Sequence, residues 1–294
     1  MILVIQGPKG SAKSTTTELI KDLIDPAGMP TRALPRSEQD LMIAAQNSWV
    51  LALDNISEIP KWLSDSLCRL STGGGLSTRT LYSDKEEQLF HSKRPMILNG
   101  INNIIERPDL IDRAVFVFFP NISQTERKAQ RDIKKEFEDV KPLILGGIFK
   151  AISTALANHN HIHLEKKPRM ADAAIWVSAA EAALPWRKGK FLEYFNNMIV
   201  KTTKKLSDDD VLIRTCGRLL KRKKAWKGKP SNLLSKLVEI ADPEEASNLP
   251  KSASHLTRML KERSWHLKHR GLQVNTGRKP GYRWIEIQKR KMTT

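Results

Sequence analysis

The fold class predicted for this chain is α/β: a parallel-sheet core around a phosphate-binding loop, then a helical lid, then a C-terminal winged-helix-like domain. Three patterns predict it. Short apolar runs alternate with helical stretches as far as Phe119. The spacing is helical throughout from Thr125 to Leu156 and again from Arg169 to Ala183. The chain then ends in two alternating segments around a turn rich in glycine and basic residues. At 294 residues, with 40% hydrophobic and 28% charged, there is chain for about two domains, and fibrous and disordered classes are excluded. The divisions expected are a P-loop core over 1–121, the helical lid over 122–200 and a basic winged-helix-like domain over 201–294.

Taken in order, the run before Gly7 (Ile-Leu-Val-Ile-Gln) reads as a buried parallel strand. Ser14 to Ile24 has helical spacing and is stopped by Asp25-Pro26-Ala27-Gly28. Further buried strands are expected at Trp49–Asp54, Pro95–Asn99 and Ala114–Phe119, with a helix at Ile59–Leu70. Between them, Gly73–Phe90 is a long polar insertion, readable as a hairpin or as a solvated loop. In the last third, composition shifts around Lys201–Asp210. Helices are expected at Ser231–Ile240 and Ser252–Arg270, then strands at Leu272–Asn275 and Tyr282–Ile287 joined by Thr-Gly-Arg-Lys-Pro-Gly.

The net charge is +18, and its distribution is uneven. Residues 201–294 hold 24 Lys and Arg against 9 Asp and Glu, a net +15, which leaves +3 for the first 200. Such a stretch calls for a polyanionic partner. Cys68 and Cys216 cannot form a disulfide framework and lack metal-site spacing, so they read as reduced thiols of a cytoplasmic protein. No segment is expected to reach the ~18 apolar residues of a membrane span, and no membrane partner is expected. His159, His161 and His163 alternate but have no fourth ligand nearby, and read as a polar connection between helices.

The chemistry concentrates at the first loop. Gly7-Pro8-Lys9-Gly10-Ser11-Ala12-Lys13-Ser14, followed by Thr15, fits the P-loop pattern except that Ala12 replaces its second glycine. Lying between a strand and a helix, it would turn backbone N–H groups toward the phosphates of ATP, with Lys13 on the β/γ-phosphates and Ser14 on Mg²⁺. Asp54, ending the second strand, is placed as a Walker B carboxylate and a second Mg²⁺ ligand. Asn55 follows it where an acid usually polarises the attacking water. Asn orients a water but takes no proton, so either Glu58 substitutes or hydrolysis is slow. Asn99, with Asn102 competing, would sense the γ-phosphate. Arg113 is placed as an arginine finger toward a neighbouring subunit, or pairs locally with Asp109 or Asp112. Arg169 would reach the nucleotide from the lid.

These motifs, with Leu67–Tyr82, Arg94–Gly100 and Asp109-Leu-Ile-Asp-Arg113 in that order, resemble the replication ATPases and helicases of phages and mobile elements, close to superfamily 3 within the AAA+ class. The resemblance covers about residues 1–120. It implies an AAA+-like core, a homo-oligomeric ring, often hexameric, with ATP between subunits, single-stranded or forked DNA in the channel, and a primase or other replication protein as partner. Asn55 departs from the pattern, and the P-loop strand opens the chain where such proteins carry a preceding region.

For DNA, Arg79 and Lys85 lie near the hairpin of the insertion, where they would track a phosphate backbone. Arg258, Lys261, Arg263, Lys268 and Arg270 lie on or beside one predicted helix, and Arg278, Lys279 and Arg283 on the wing. Trp265 and Trp284 read as core. Three readings follow: an ATP-dependent DNA motor or remodeller; a nucleotide-switched DNA-binding accessory or regulator with little turnover; and a small-molecule kinase, which leaves the basic domain unexplained.

Overall fold

The computed structural model describes residues 1–79, 87–101, 104–221 and 223–290. Two compact units divide it, Met1–Met198 and Ile199–Thr294.

The first unit runs β1 (Ile2–Gln6), α1 (Lys13–Ile24), α2 (Glu38–Gln46), β2 (Leu51–Ile56), α3 (Lys61–Thr72), β3 (Gly75–Arg79), β4 (Glu87–His91), β5 (Met96–Gly100), α4 (Pro108–Ile111), β6 (Ala114–Phe118), α5 (Gln130–Asn158), α6 (Ala171–Ala180) and the start of α7 (Lys190–Asp209). Four strands make one parallel sheet in the order β2-β5-β1-β6. Their apolar runs suit strands covered on both faces, and β5 is buried at every position. Because all four strands are parallel, the loops that follow β2, β5 and β1 emerge along one edge, the usual place for a ligand.

Helix α2 was not anticipated; Ser37 caps it by accepting from Asp40 N, with Glu38 and Asp40 in its first turn. The polar insertion does form antiparallel strands, β3 with β4. Lys85 and Asn102 lie outside the described residues.

Helix α5 runs alongside the core, with Lys141 bonded to Asp22 of α1 at 2.5 Å and Lys134 at 3.9 Å from Glu18. Its second half bears on the expectation of no membrane span. Gln130–His161 includes a window long and apolar enough, by length and composition alone, to cross a membrane. Leu143 is 77% and Phe149 64% exposed there. Lys141 bounds the run and Lys150 interrupts it, which is why a count of consecutive apolar residues passes over it.

The second unit contains the rest of α7, then α8 (Val211–Leu219), β7 (Ala225–Gly228), α9 (Pro230–Ile240), α10 (Pro243–Ser247), α11 (Ala253–Glu262), α12 (Ser264–His269), β8 (Leu272–Lys279) and β9 (Tyr282–Lys289). The sheet order is β7-β9-β8, antiparallel throughout. Leu212, Leu233, Leu256, Leu260, Ile285 and Ile287 form its core. The expected long connection between the last two strands shrinks to Pro280-Gly281, because residues 276–279 continue the ladder opposite 282–285. Gly277 permits this: a Cβ there would lie 2.5 Å from the Trp284 ring across the strands. Cys216 is fully buried in this core, and burial pushes its thiol up to about 12, as suits packing rather than reactivity.

Candidate functional site

The loop between β1 and α1 is shaped by two backbone requirements. A Cβ on Gly7 would come within 2.7 Å of the Phe119 carbonyl oxygen and of Ser11 Oγ, so only glycine fits. Gly10 and Ala12 both take the left-handed region, with φ of 78° and 60°. Ala12 stands at the head of α1 with no side-chain cap, so the first N–H groups of the helix face the loop without a side-chain partner.

Lys13 is buried and curls over the loop, donating to the Gly7 and Pro8 carbonyls at 2.9 and 2.8 Å and to Ser11 Oγ at 3.3 Å. Burial lowers its pKa, and the nearby Asp54 carboxylate works in the other direction. Ser14 Oγ donates to Asp54 Oδ1 at 3.0 Å, joining residues forty apart in sequence.

From Asp54 a network closes back on α1. Asn55 N donates to Asp54 Oδ1 at 2.6 Å and to Asn99 Oδ1 at 3.1 Å. Asn99 Nδ2 donates to Thr17 Oγ1 at 2.9 Å, and Thr17 Oγ1 donates to the Lys13 carbonyl at 2.9 Å. Asn99 and Thr17 are wholly buried, so each polar atom in this chain needs the next. A local irregularity makes the geometry possible. The β2–β5 register shifts between Leu53 and Ile56, and Asn55 within that shift has a φ of 56°. Gly100 opposite is required, since a Cβ would fall 2.2 Å from the Ile56 carbonyl oxygen. Asp54, Asn99 and the loop thus stand at the ends of three adjacent strands.

Other predicted residues fall elsewhere. Glu58 is exposed beyond β2. Arg113 is buried at the start of β6, the opposite edge of the sheet from the loop; its guanidinium donates to the Asp109 carbonyl while Nε has no hydrogen-bond partner among the described residues. Arg169 is 3.8 Å from Asp109, so it shares a neighbour with Arg113 rather than with the loop. The local alternative for Arg113 had been a carboxylate; the contact is with backbone.

Two residues of the site escaped sequence reasoning. Thr17, one helical turn beyond Lys13, bridges to Asn99; its spacing was the available signal. Arg127 lies over the loop, its Nη2 3.2 Å from where a Cβ on Gly10 would be. It follows the Ser123-x-x-Glu126 capping box that fixes the turn before α5.

In the second unit, Arg258 and Lys261 are exposed on α11 and Lys268 on α12. Arg263 pairs with Asp210 and Arg270 with Asp208, so both are partly neutralised. Arg278 and Arg283 are exposed and directly opposite on the β8–β9 hairpin, while Lys279 ends β8 opposite Tyr282. Arg79 ends β3. Trp284 is half-buried beneath Lys227, whose Nζ is 4.3 Å from the ring centre. Among the described residues no group of histidine, cysteine and carboxylate is placed to hold a metal ion, and His159 stacks on Trp176 instead.

Comparison with known proteins bears on the whole chain. No curated protein matches it. Among solved structures, the JCV helicase aligns at 12% identity over 74% of this chain with a TM-score of 0.29, and the C-terminal region of NrS-1 at 11% over 98% with a TM-score of 0.33. The chain spans 54% and 67% of those two chains, so about half of the first. Two family models match in tandem: the actinomycete integrative conjugative element replication protein over residues 2–190, and the C-terminal domain of the same replication protein over 212–294. The chain belongs to the family of actinomycete integrative conjugative element replication proteins.

Proposed function

We propose that this replication protein is an ATP-dependent DNA motor or remodeller, with ATP bound at the loop 7–14 and DNA held by the basic second unit. The observation that carries the reading is the closed network Ser14–Asp54–Asn55–Asn99–Thr17–Lys13 beside a glycine-shaped loop. A loop with uncapped helical N–H groups and a lysine suits phosphates. Lys13 now bonds carbonyls that a polyphosphate would replace as stronger acceptors. Ser14 Oγ and Asp54 Oδ1, two hard oxygen donors at 3.0 Å, fit Mg²⁺, which would neutralise charge on the phosphates. Asn99 would orient the reacting water or the γ-phosphate, and Arg127 would cover the loop from above.

In the second unit, α11 and the β8–β9 hairpin serve as a winged helix-turn-helix. Arg278 and Arg283 face each other across the ladder, an arrangement that repels until an anion lies between them. Arg113 would serve a neighbouring subunit in a homo-oligomer, which requires its guanidinium to leave the Asp109 carbonyl.

A second reading, a nucleotide-switched accessory with little turnover, is favoured by Asn55. With φ at 56° the position suits Asn or Gly and not the glutamate of a fast ATPase.

ATPase rate with and without single-stranded DNA, for wild type and Lys13→Ala, separates the readings. DNA-stimulated turnover that Lys13→Ala abolishes supports the motor. Nucleotide binding with background turnover under both conditions leaves the switch, and no nucleotide binding at all removes both.

A further inference from the structure

A second basic surface in the C-terminal unit stands apart from α11 and the wing tip. It is an open groove of about 460 Å³ between α8 and the far end of the β8–β9 hairpin. Arg214, Arg218, Lys221, Arg270, Lys289 and Arg290 line it, and no carboxylate does. Three of the six are matched: Arg214 and Arg218 by Glu245, with Asp242 also on Arg218, and Arg270 by Asp208. Among the described residues Lys221, Lys289 and Arg290 pair with no carboxylate, and all three are exposed. The ion pairs thus hold three guanidiniums in place while three cations have no carboxylate beside them, Lys289 Nζ donating to the Lys221 carbonyl at 3.5 Å.

The groove lies at the open end of the hairpin, where Leu272 pairs with Lys289, whereas the wing tip is at Lys279 and Tyr282. Seven residues of extended chain separate the two, about 23 Å, so one phosphate cannot serve both.

Its floor carries the more telling residue. Gly217 sits inside α8, where glycine is a poor helix former. Nothing in the fold requires it: its φ is ordinary for a helix, and a Cβ would have no atom within 4 Å. An internal helical glycine that the packing does not need, set among cations, leaves room for something else to approach the helix backbone closely.

We infer that this groove binds the phosphodiester backbone of a nucleic-acid strand, a contact separate from that of α11 and the wing. Lys221, Lys289 and Arg290 take the phosphates and Gly217 admits the sugar-phosphate chain. The inference shares with the proposed function only the premise that the second unit meets nucleic acid, and it does not depend on ATP turnover.

Anisotropy of a labelled single-stranded oligonucleotide, titrated with the full chain at several salt concentrations, tests it. The groove variant is Lys221→Ala/Arg290→Ala, both exposed and free of ion pairs; the wing variant is Arg278→Ala/Arg283→Ala. Losing two phosphate contacts should weaken binding about tenfold and flatten the plot of log K against log salt by about 1.4, at about 0.7 per contact on a single strand. Gly217→Ala should raise the melting temperature and yet weaken binding several-fold, a split that a purely structural glycine does not give. Full affinity in the groove variant and in Gly217→Ala, with loss in the wing variant, overturns the groove and leaves the wing. Loss in neither overturns both. A groove variant that loses tripolyphosphate but keeps the oligonucleotide shows a site for free phosphates and overturns the nucleic-acid assignment.

Discussion

At the residue scale, Asn55 shows why backbone conformation decides side-chain chemistry. Read from sequence, an amide after a Walker B aspartate looks like a catalytic deficit. In the fold it occupies a left-handed position inside a register shift, with its N–H shared between Asp54 and Asn99. Only Gly, Asn and Asp take that conformation readily. Asn55→Glu should therefore cost about 1 kcal/mol of stability from backbone strain, while Asn55→Gly stays close to wild type. Denaturant melts of the three proteins check it; equal midpoints for Glu and Asn would remove the conformational argument. Asn99 makes the complementary case. Its buried amide holds both Asn55 N and Thr17 Oγ1, so Asn99→Ala should lose about 1–3 kcal/mol by stranding those groups, measured in the same melts.

At the element scale, the end of α1 is tied to the sheet by one carboxylate. Asp25 accepts from Lys21 and, at 2.8 Å, from Val50 N at the entrance to β2, so the helix carrying the loop and the strand carrying Asp54 share an anchor. Burial works to raise the Asp25 pKa, but the hydrogen bonds from Lys21 and Val50 outweigh it and the carboxyl lies below its ordinary value. A depressed folded pKa means the stabilisation is present above the unfolded value near 3.9 and fades as pH falls through the folded one. Asp25→Asn should thus narrow the difference in stability between pH 6 and pH 3, read by thermal melts; an unchanged difference would show that the pair carries none of the acid sensitivity. Elements like β1, β5 and β6 were legible because parallel buried strands are continuous apolar runs. The helix α2 and the strand β7 were not, one being short and recognisable only by its Ser37 cap, the other a four-residue piece inside the lysine-rich stretch 221–229. Of the candidate site, Lys13 and Ser14 could be named from the glycine-rich loop motif, and Asp54 and Asn99 from their places at strand ends. Arg127 could not, because its approach to Gly10 depends on how the turn at Ser123–Glu126 redirects the chain into α5.

At the scale of the whole molecule, charge and compactness divide the chain at almost the same place. The unit beginning at Ile199 carries the net +15 and its own hydrophobic core, while the unit ending at Met198 carries the glycine-shaped loop and a net charge of only +3. Helix α7 crosses the division, yet its two ends are fixed separately. Tyr194 donates to the Phe116 carbonyl and Met198 Sδ accepts from Phe116 N, whereas Ser207 bonds Thr203 and His266 within the second unit. A chain ending at Val200 should therefore keep the packing of the loop and the capacity to bind nucleotide. It should also lose most affinity for DNA, because the five phosphate contacts given to groove and wing, removed together, flatten the dependence of log K on log salt by about 3.5 on a single strand. Calorimetric titration with a non-hydrolysable ATP analogue and anisotropy with an oligonucleotide, on the full and shortened chains, read the two halves of that expectation independently. If the shortened chain binds DNA as tightly and with the same salt slope, the contacts lie in the first unit. The β3–β4 hairpin with Arg79 would then be the place to look.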